Sequence, residues 1–439
     1  MNDTRYRKVP GSRLSRLAGF GQLAGEVAGG MLAEGARRLA RGERPHLSDL
    51  LLTPANAVRL TDQLSRLRGA AMKLGQMISL DAGDMMPSEL GPILARLREG
   101  AHRMPPDQLN RVLTEQWGID WRARFARFDS TAIAAASIGQ VHRAVLPDGR
   151  VVAVKVQYPG VVQSIDADVD SVATLLRMSG LLPDTLDVGP LLAETKKQLR
   201  EEADYWREAE QMRRYGEMLA GDDDFIVPRA VPDLSGERVL VMDYLEGAPI
   251  DSLSTAPQAT RDKAMQALMG LVLREIFSFG FMQTDPNFAN YRWQANTDRI
   301  VLLDFGAARA VPEATRQAYR GLVHAGLAGD RAALKTRLIE VGFVSPAALA
   351  RHGLALDAMI ETVMNHLGRP GLIDFADRGF VETLREQARH MVVDRGAWHV
   401  PPADTLFVQR KISGTALLAV RMRAQMPLRA MVEEAVTNA

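Results

Sequence analysis

The chain has 439 residues, a formal net charge of +1 and no cysteine. Hydrophobic residues make up 46% and charged residues 24%, the balance of a folded globular protein rather than a disordered one. Near-neutral charge excludes an overall electrostatic footprint for nucleic acid, and the missing thiols exclude disulfides, thiolate nucleophiles and cysteine-ligated metals.

Residues 1–44 form a Gly/Ala-rich leader, basic at both ends, without the compact apolar region of a signal peptide. Gly21, Gly25 and Gly29 recur every four residues, a spacing that lets two helix backbones approach. This segment reads as a small-residue helix packed on the rest of the protein, with an interfacial membrane helix or a homodimer contact as alternatives. Gln22, Glu26 and Glu34 disfavour a membrane span. Residues 45–124 read as a helical extension: apolar positions 60, 64, 67, 71 and 74 share a face, Pro105 and Pro106 break the chain, and a further helix is expected from Pro106 to Trp117.

From residue 125 the texture changes to strands. The small-residue loop AAASIGQVH (134–142), the turn PDG (147–149) and the β-branched run VVAVKV (151–156) predict a hairpin. Helical periodicity returns over 161–178 and 188–218, RVLVMDYLEG (238–247) reads as a strand ending in glycine, and from Thr260 onward helix is expected almost throughout, apart from IVLLDF (300–305). The run 267–282 is apolar but interrupted by Arg274 and Glu275, which favours a buried helix. Strands early and helices late predict an α+β fold with a small sheet lobe over 125–247 and a helical lobe over 248–439.

Four features belong to one chemistry. Lys155 lies in an apolar strand behind the small-residue loop, and an ammonium buried there needs an anion. In isolation it also reads as an edge-strand lysine facing water. The carboxylate-rich helix 198–215 offers Glu202, Asp204 and Glu208 as partners, although such a helix alone is equally a solvated face. In FMQTDPNFANY (281–291), Asp285 precedes Asn290 by five positions, the spacing at which an aspartate orients a nucleophile and an asparagine holds a metal. In LLDFGAAR (302–309), Asp304 ends a buried strand before Phe-Gly, as a magnesium-binding aspartate does. Their order along the chain predicts a kinase-like site for ATP (or ADP) and Mg²⁺. By the same register Met242 occupies the gatekeeper position, and the backbone of Asp243 to Leu245 is placed to bond adenine.

The pattern departs from ordinary protein kinases. Ala134 and Ala136 stand at the first two glycine positions of the phosphate loop, flanking Ala135 and followed by Ser137, and only Gly139 remains. Alanine restricts φ and adds a methyl group, so the backbone approaches phosphate differently. QTD replaces the usual HRD, and Pro312 follows Asp304 too soon for a normal activation segment, removing the platform for a peptide substrate.

These departures, with AMKLGQMISLD (71–81), AAASIGQVH, VAVKVQYPGV, EADYWREA, FMQTDPNFANY, LLDFGAAR and the late QRKISGTALL, resemble the UbiB/AarF-type atypical kinases, in particular their coenzyme Q accessory branch. The resemblance covers nearly the whole chain. It implies a protein-kinase-like bilobal fold with an N-terminal KxGQ extension, in which Lys73 and Gln76 project toward the cleft and Glu202 and Asp204 form an ExD motif facing them. It implies Glu208 as ion-pair partner of Lys155, Asp285 as the group positioning the acceptor or water, and Asn290 and Asp304 as magnesium ligands. It further implies a lipid-stimulated, Mg-dependent ATPase supporting ubiquinone biosynthesis, with an anionic membrane surface, a quinone-precursor lipid and other biosynthetic enzymes as partners. A small-molecule or lipid kinase and a nucleotide-sensing scaffold are the alternatives. The missing mitochondrial extension suggests a bacterial protein of the cytoplasm or the inner face of its membrane.

Overall fold

The structure, a computed structural model, describes residues 103–136, 138–178, 189–394 and 401–438. The leader, the KxGQ segment with Lys73 and Gln76, and Ser137 lie outside the described residues. The chain divides into two compact units, the first running to Glu210 and resuming over Arg229–Tyr244, the second taking Gln211–Pro228 and Leu245–Ala439.

In the first unit, helix α1 (Pro106–Trp117) starts with proline at its first position, where a missing N–H costs nothing. Strands β1 (Arg127–Phe128), β2 (Ala134–Ala135), β3 (Gly139–Val145) and β4 (Val151–Gln157) follow, then helices α2 (Val161–Met178), α3 (Gly189–Glu202) and α4 (Tyr205–Met218), of which α4 belongs to the first unit up to Glu210 and to the second from Gln211. After β5 (Phe225–Ile226), which belongs to the second unit, β6 (Val239–Asp243) completes an antiparallel sheet ordered β1-β3-β4-β6, with β2 added to β3. The hairpin turns at Gly149, whose φ of 87° suits glycine alone. Along β4, Val152, Val154 and Val156 join the main core with Leu113, Trp121 and Phe125. The two-residue strand period therefore puts Ala153 and Lys155 on the opposite face.

The helix expected over 188–218 is two helices. Ala203 turns the chain, and Asp204 starts α4 by accepting the N–H of Arg207 on its Oδ1 at 2.9 Å, a carboxylate at a helix start where the dipole favours it. Gln157, buried at the end of β4, donates to the Ala203 carbonyl at 2.6 Å, so the bend is fastened to the sheet.

In the second unit, strand β7 (Ala248–Pro249) precedes helix α5 (Gln258–Arg274), which runs into one π-helical turn (Glu275–Phe279) closed by Gly280 at φ 57°. Strands β8 (Phe281–Gln283), β9 (Tyr291–Gln294), β10 (Arg299–Leu302) and β11 (Ala308–Ala310) follow, paired as β5-β10-β9-β7 and β8-β11. Beyond them lie helices α6 (Glu313–Ala328), α7 (Arg331–Val341) and α8 (Pro346–Leu367), strand β12 (Ile373–Asp374), helix α9 (Gly379–Val393), helix α10 (Ala403–Met422), strand β13 (Gln425–Met426) and helix α11 (Leu428–Thr437). The expectation of nearly continuous helix after Thr260 is thus corrected. Strands of two to four residues are too short to print a period of two, and β9 turns into β10 through Asp298 at φ 60°. Among the described residues no helix is long and apolar enough to cross a membrane, and the 267–282 run is buried as expected, with Leu268, Leu271, Ile276 and Phe277 all in the interior.

Candidate active site

The first unit supplies a buried ion pair. Lys155 is 7% exposed and Glu208 fully buried, and the ammonium Nζ donates to both carboxylate oxygens at 2.8 Å. The Tyr205 ring lies 5.2 Å from the same Nζ, adding a cation–π contact. Of the three candidate carboxylates, Glu208 is turned onto the sheet by the bend at Ala203. Glu202 closes α3 half-buried and Asp204 is exposed as the cap of α4. The two-helix break therefore decides which acid meets the lysine.

Ala134 and Ala135 are exposed on β2, paired with Val141 and Gln140 of β3, and Ala136 donates its N–H to Gly139 O at 2.8 Å. Gly139 is glycine because of crowding: a Cβ there would run into the Val156 carbonyl and lie 2.9 Å from the Tyr205 hydroxyl. Two side chains of the same motif lock it from below. Gln140 Oε1 accepts the Met104 N–H at 2.8 Å, and His142, fully buried, stacks on Phe128 and bonds Asp129 O through Nδ1 at 2.9 Å. Burial holds the His142 pKa below the ordinary histidine value, against the pull of the Asp129 carbonyl. Met242 is buried opposite Ala153, and the N–H groups of Asp243 and Tyr244 are engaged by Arg229 O and Val151 O. Leu245 is half-buried where the chain re-enters the second unit.

The second unit supplies a loop carrying Asp285 and Asn290. Proline at 286 keeps it out of helix, and Asn287 caps a short 3₁₀ turn (Phe288–Asn290) by accepting the Ala289 N–H at 3.1 Å. Asn290, 9% exposed, reaches back to the Asp285 carbonyl at 3.5 Å, while its own carbonyl accepts the Leu303 N–H at 3.0 Å. That last bond ties the loop to the residue before Asp304. Asp304 Oδ1 accepts the Gly306 N–H at 2.9 Å, and Phe305 is fully buried with its ring 5.1 Å from that of Tyr215. Thr284, in the place of the usual arginine, spends its hydroxyl on Ala307 O at 2.8 Å. Asp285, Asn290 and Asp304 are thus gathered by the backbone of 283–307.

Sequence reasoning did not reach Gln157, Glu275 or Lys411. Gln157 was visible as the one amide ending an apolar strand. Glu275, by contrast, reads only as an interruption of an apolar run, and Lys411 follows Gln409 and Arg410 in a stretch that looks like an ordinary solvated face.

The chain matches the ABC1 atypical kinase-like domain over residues 96–338. It is 37% identical to the atypical kinase COQ8B, mitochondrial, of Danio rerio over 97% of this chain and 69% of that protein. The identity to COQ8, mitochondrial, of Saccharomyces cerevisiae is also 37%, over 95% of this chain and 83% of that protein. Among solved structures, the Rv3197 protein of Mycobacterium tuberculosis in complex with erythromycin aligns with a TM-score of 0.62 at 26% identity, covering 87% of this chain and 95% of that one. The fold is α+β and protein-kinase-like, and the chain belongs to the ABC1 (UbiB/AarF-type) family of atypical kinases, whose chemistry is phosphoryl transfer.

Proposed function

We propose that the chain binds ATP with magnesium and turns it over in support of ubiquinone biosynthesis, its hydrolysis stimulated by an anionic lipid surface and a quinone-precursor lipid. The observation that carries this reading is the buried pair of Lys155 and Glu208, joined by two hydrogen bonds of 2.8 Å. Retaining an ammonium inside a sheet is costly unless it has an anion to serve. In phosphoryl transfer it steadies the nucleotide's phosphates.

Asp285 orients the attacking water or acceptor. Asn290 and Asp304 hold magnesium, and the donor set fits: two hard oxygens, with no group of three or more His, Asp or Glu able to hold an ion alone among the described residues. Such a partial shell suits an ion that keeps water and phosphate as its other ligands. When bound, magnesium neutralises charge on the phosphate oxygens. Met242, with the backbone of Asp243 and Leu245, receives adenine, and the exposed methyl groups of Ala134 and Ala135, with Ala136 and Gly139, set the approach of the phosphates. Lys73, Gln76, Glu202 and Asp204 restrict access of a protein substrate. The two COQ8 relatives named above are mitochondrial by name; for this chain we place the work at the inner face of a membrane or in the cytoplasm, with ubiquinone-biosynthesis enzymes as partners.

The test is phosphate release and transfer from radiolabelled ATP by purified protein, with and without anionic vesicles and a phenolic quinone-precursor analogue, alongside Asp304→Asn. Lipid-stimulated release that falls by on the order of 10²-fold or more in the variant is expected. Label recovered on the phenol or lipid would make the protein a small-molecule kinase. Magnesium-dependent binding without release or transfer would leave only a nucleotide-sensing scaffold.

A further inference from the structure

Within the second unit, beneath the loop that carries Asp285, lies a buried polar cluster with no role in the chemistry above. Glu275 is fully buried and Lys411 is 2% exposed. Lys411 Nζ lies 3.5 Å from Glu275 Oε2 and donates to the Tyr291 hydroxyl at 3.0 Å and to Gln283 Oε1 at 3.2 Å. The other carboxylate oxygen, Glu275 Oε1, accepts the Tyr215 hydroxyl at 2.7 Å and the Gln283 backbone N–H at 3.2 Å. The two loop residues gripped in this way are the ones that bracket the chemistry. Gln283 stands two positions before Asp285, and Tyr291 directly follows Asn290.

Three further observations tie the cluster to the loop. A cavity of about 10 Å³ is lined by Glu275, Gln283, Asn290, Tyr291, Asp304 and Lys411 among others, so the ion pair and the two oxygen donors border the same space. One turn along α10 from Lys411, Gly414 faces Pro286 so closely that a Cβ would collide with the proline ring. Glu275 opens the π-helical turn that ends α5, the kind of irregularity that re-aims a side chain near a functional site. Burying an ion pair is a poor way to gain stability, because apolar residues of the same volume serve as well or better. Directional bonds to both ends of one loop are what apolar residues could not supply.

We infer that Lys411 and Glu275 are positioning residues: a buried charge-balanced clamp that fixes residues 283–291 and so places Asp285 and Asn290 for phosphoryl transfer. The inference rests on the function proposed above. The late QRKISG stretch, on this account, serves the active loop from behind and not the fold alone.

The test compares the wild-type protein with Lys411→Met/Glu275→Gln, which removes both charges together, and with Tyr291→Phe, which removes one hydroxyl from a clamp left otherwise intact. Three quantities are read: hydrogen exchange of the 283–291 amides without ligand, ATP affinity with and without magnesium, and turnover. In the double variant the loop exchanges at least about tenfold faster, the magnesium-dependent gain in ATP affinity is lost, magnesium-free affinity stays within about twofold, and turnover drops about tenfold or more. Tyr291→Phe moves the same quantities in the same direction by about threefold, and it decides the matter if the double variant does not fold. Wild-type loop exchange and an unchanged magnesium effect in the variants would overturn the inference. A wild-type protein without turnover would sink the proposed function, and the clamp would then stand or fall on exchange and magnesium-dependent binding. A wild-type protein whose ATP affinity ignores magnesium would end both.

Discussion

A lysine inside a β-strand is a liability that only a partner removes, and the partner of Lys155 is set by one residue's place in a bend. Glu208 is the fourth residue of α4, and its N–H is held by the Asp204 carbonyl at 3.0 Å. Shifting the helix start by one residue would turn a different side chain onto the sheet. Glu208→Gln keeps the shape but removes the charge that two short hydrogen bonds neutralise. We expect it to cost about 3–5 kcal/mol in chemical denaturation, the penalty of a broken buried pair. Lys155→Met/Glu208→Leu is expected to recover most of that stability while leaving ATP binding abolished. If the double replacement were no more stable than Glu208→Gln, the cost would lie in packing rather than in charge.

Two glycines show what helices do in the second unit, and their replacements should differ in sign. Gly270 lies inside α5, where an added Cβ would meet the Met431 methyl at 3.9 Å, an ordinary contact. Gly270→Ala should therefore gain the helix-propensity term, about 0.5–1 kcal/mol. Gly414 gains the same term, but its Cβ would fall on the Pro286 ring. Overpacking of that kind costs about 1–3 kcal/mol and should win, so Gly414→Ala lowers the melting temperature and Gly270→Ala raises it, as paired thermal scans would show. A stabilising Gly414→Ala would mean that the loop yields to the helix. The difference between these glycines could not be read from the chain, since both sit in helical patterns with apolar neighbours. The bounds of α1 and α2 were legible in proline punctuation and long 3.6-residue periodicity; as candidates, Asp285 and Asn290 stood out by their five-residue spacing within one loop, and Lys155 and Asp304 as charges inside or at the end of apolar strands. Lys411 and Glu275 were not, because they meet across 136 positions of chain, and pairing at that distance leaves no local signal.

At the scale of the whole molecule, three buried tyrosines and a buried lysine of the second unit make its stability depend on alkali. Burial raises the pKa of Tyr319, and of Tyr215, where the Glu275 charge adds to it. Burial also raises Tyr291, against the opposing pull of the Lys411 ammonium. For Lys411 itself burial acts downward, but the Glu275 carboxylate and Tyr291 outweigh it, so its pKa stands above the ordinary lysine value of 10.5. All four groups belong to the second unit. Each keeps its proton longer in the folded chain than in the unfolded one, so each contributes stability that is complete below the unfolded pKa and lost as pH rises through the folded one. With ordinary tyrosine at 10.0, the loss begins near pH 10, where the unfolded chain sheds protons that the native unit retains. We therefore expect the calorimetric transition of the second unit to move down steeply above about pH 10. The phenolate absorbance of Tyr215, Tyr291 and Tyr319 should appear together with unfolding and not before it. Three tyrosines titrating freely near pH 10 in a protein that stays folded would show that water reaches the cluster, and a wet cluster could not hold the active loop by charge.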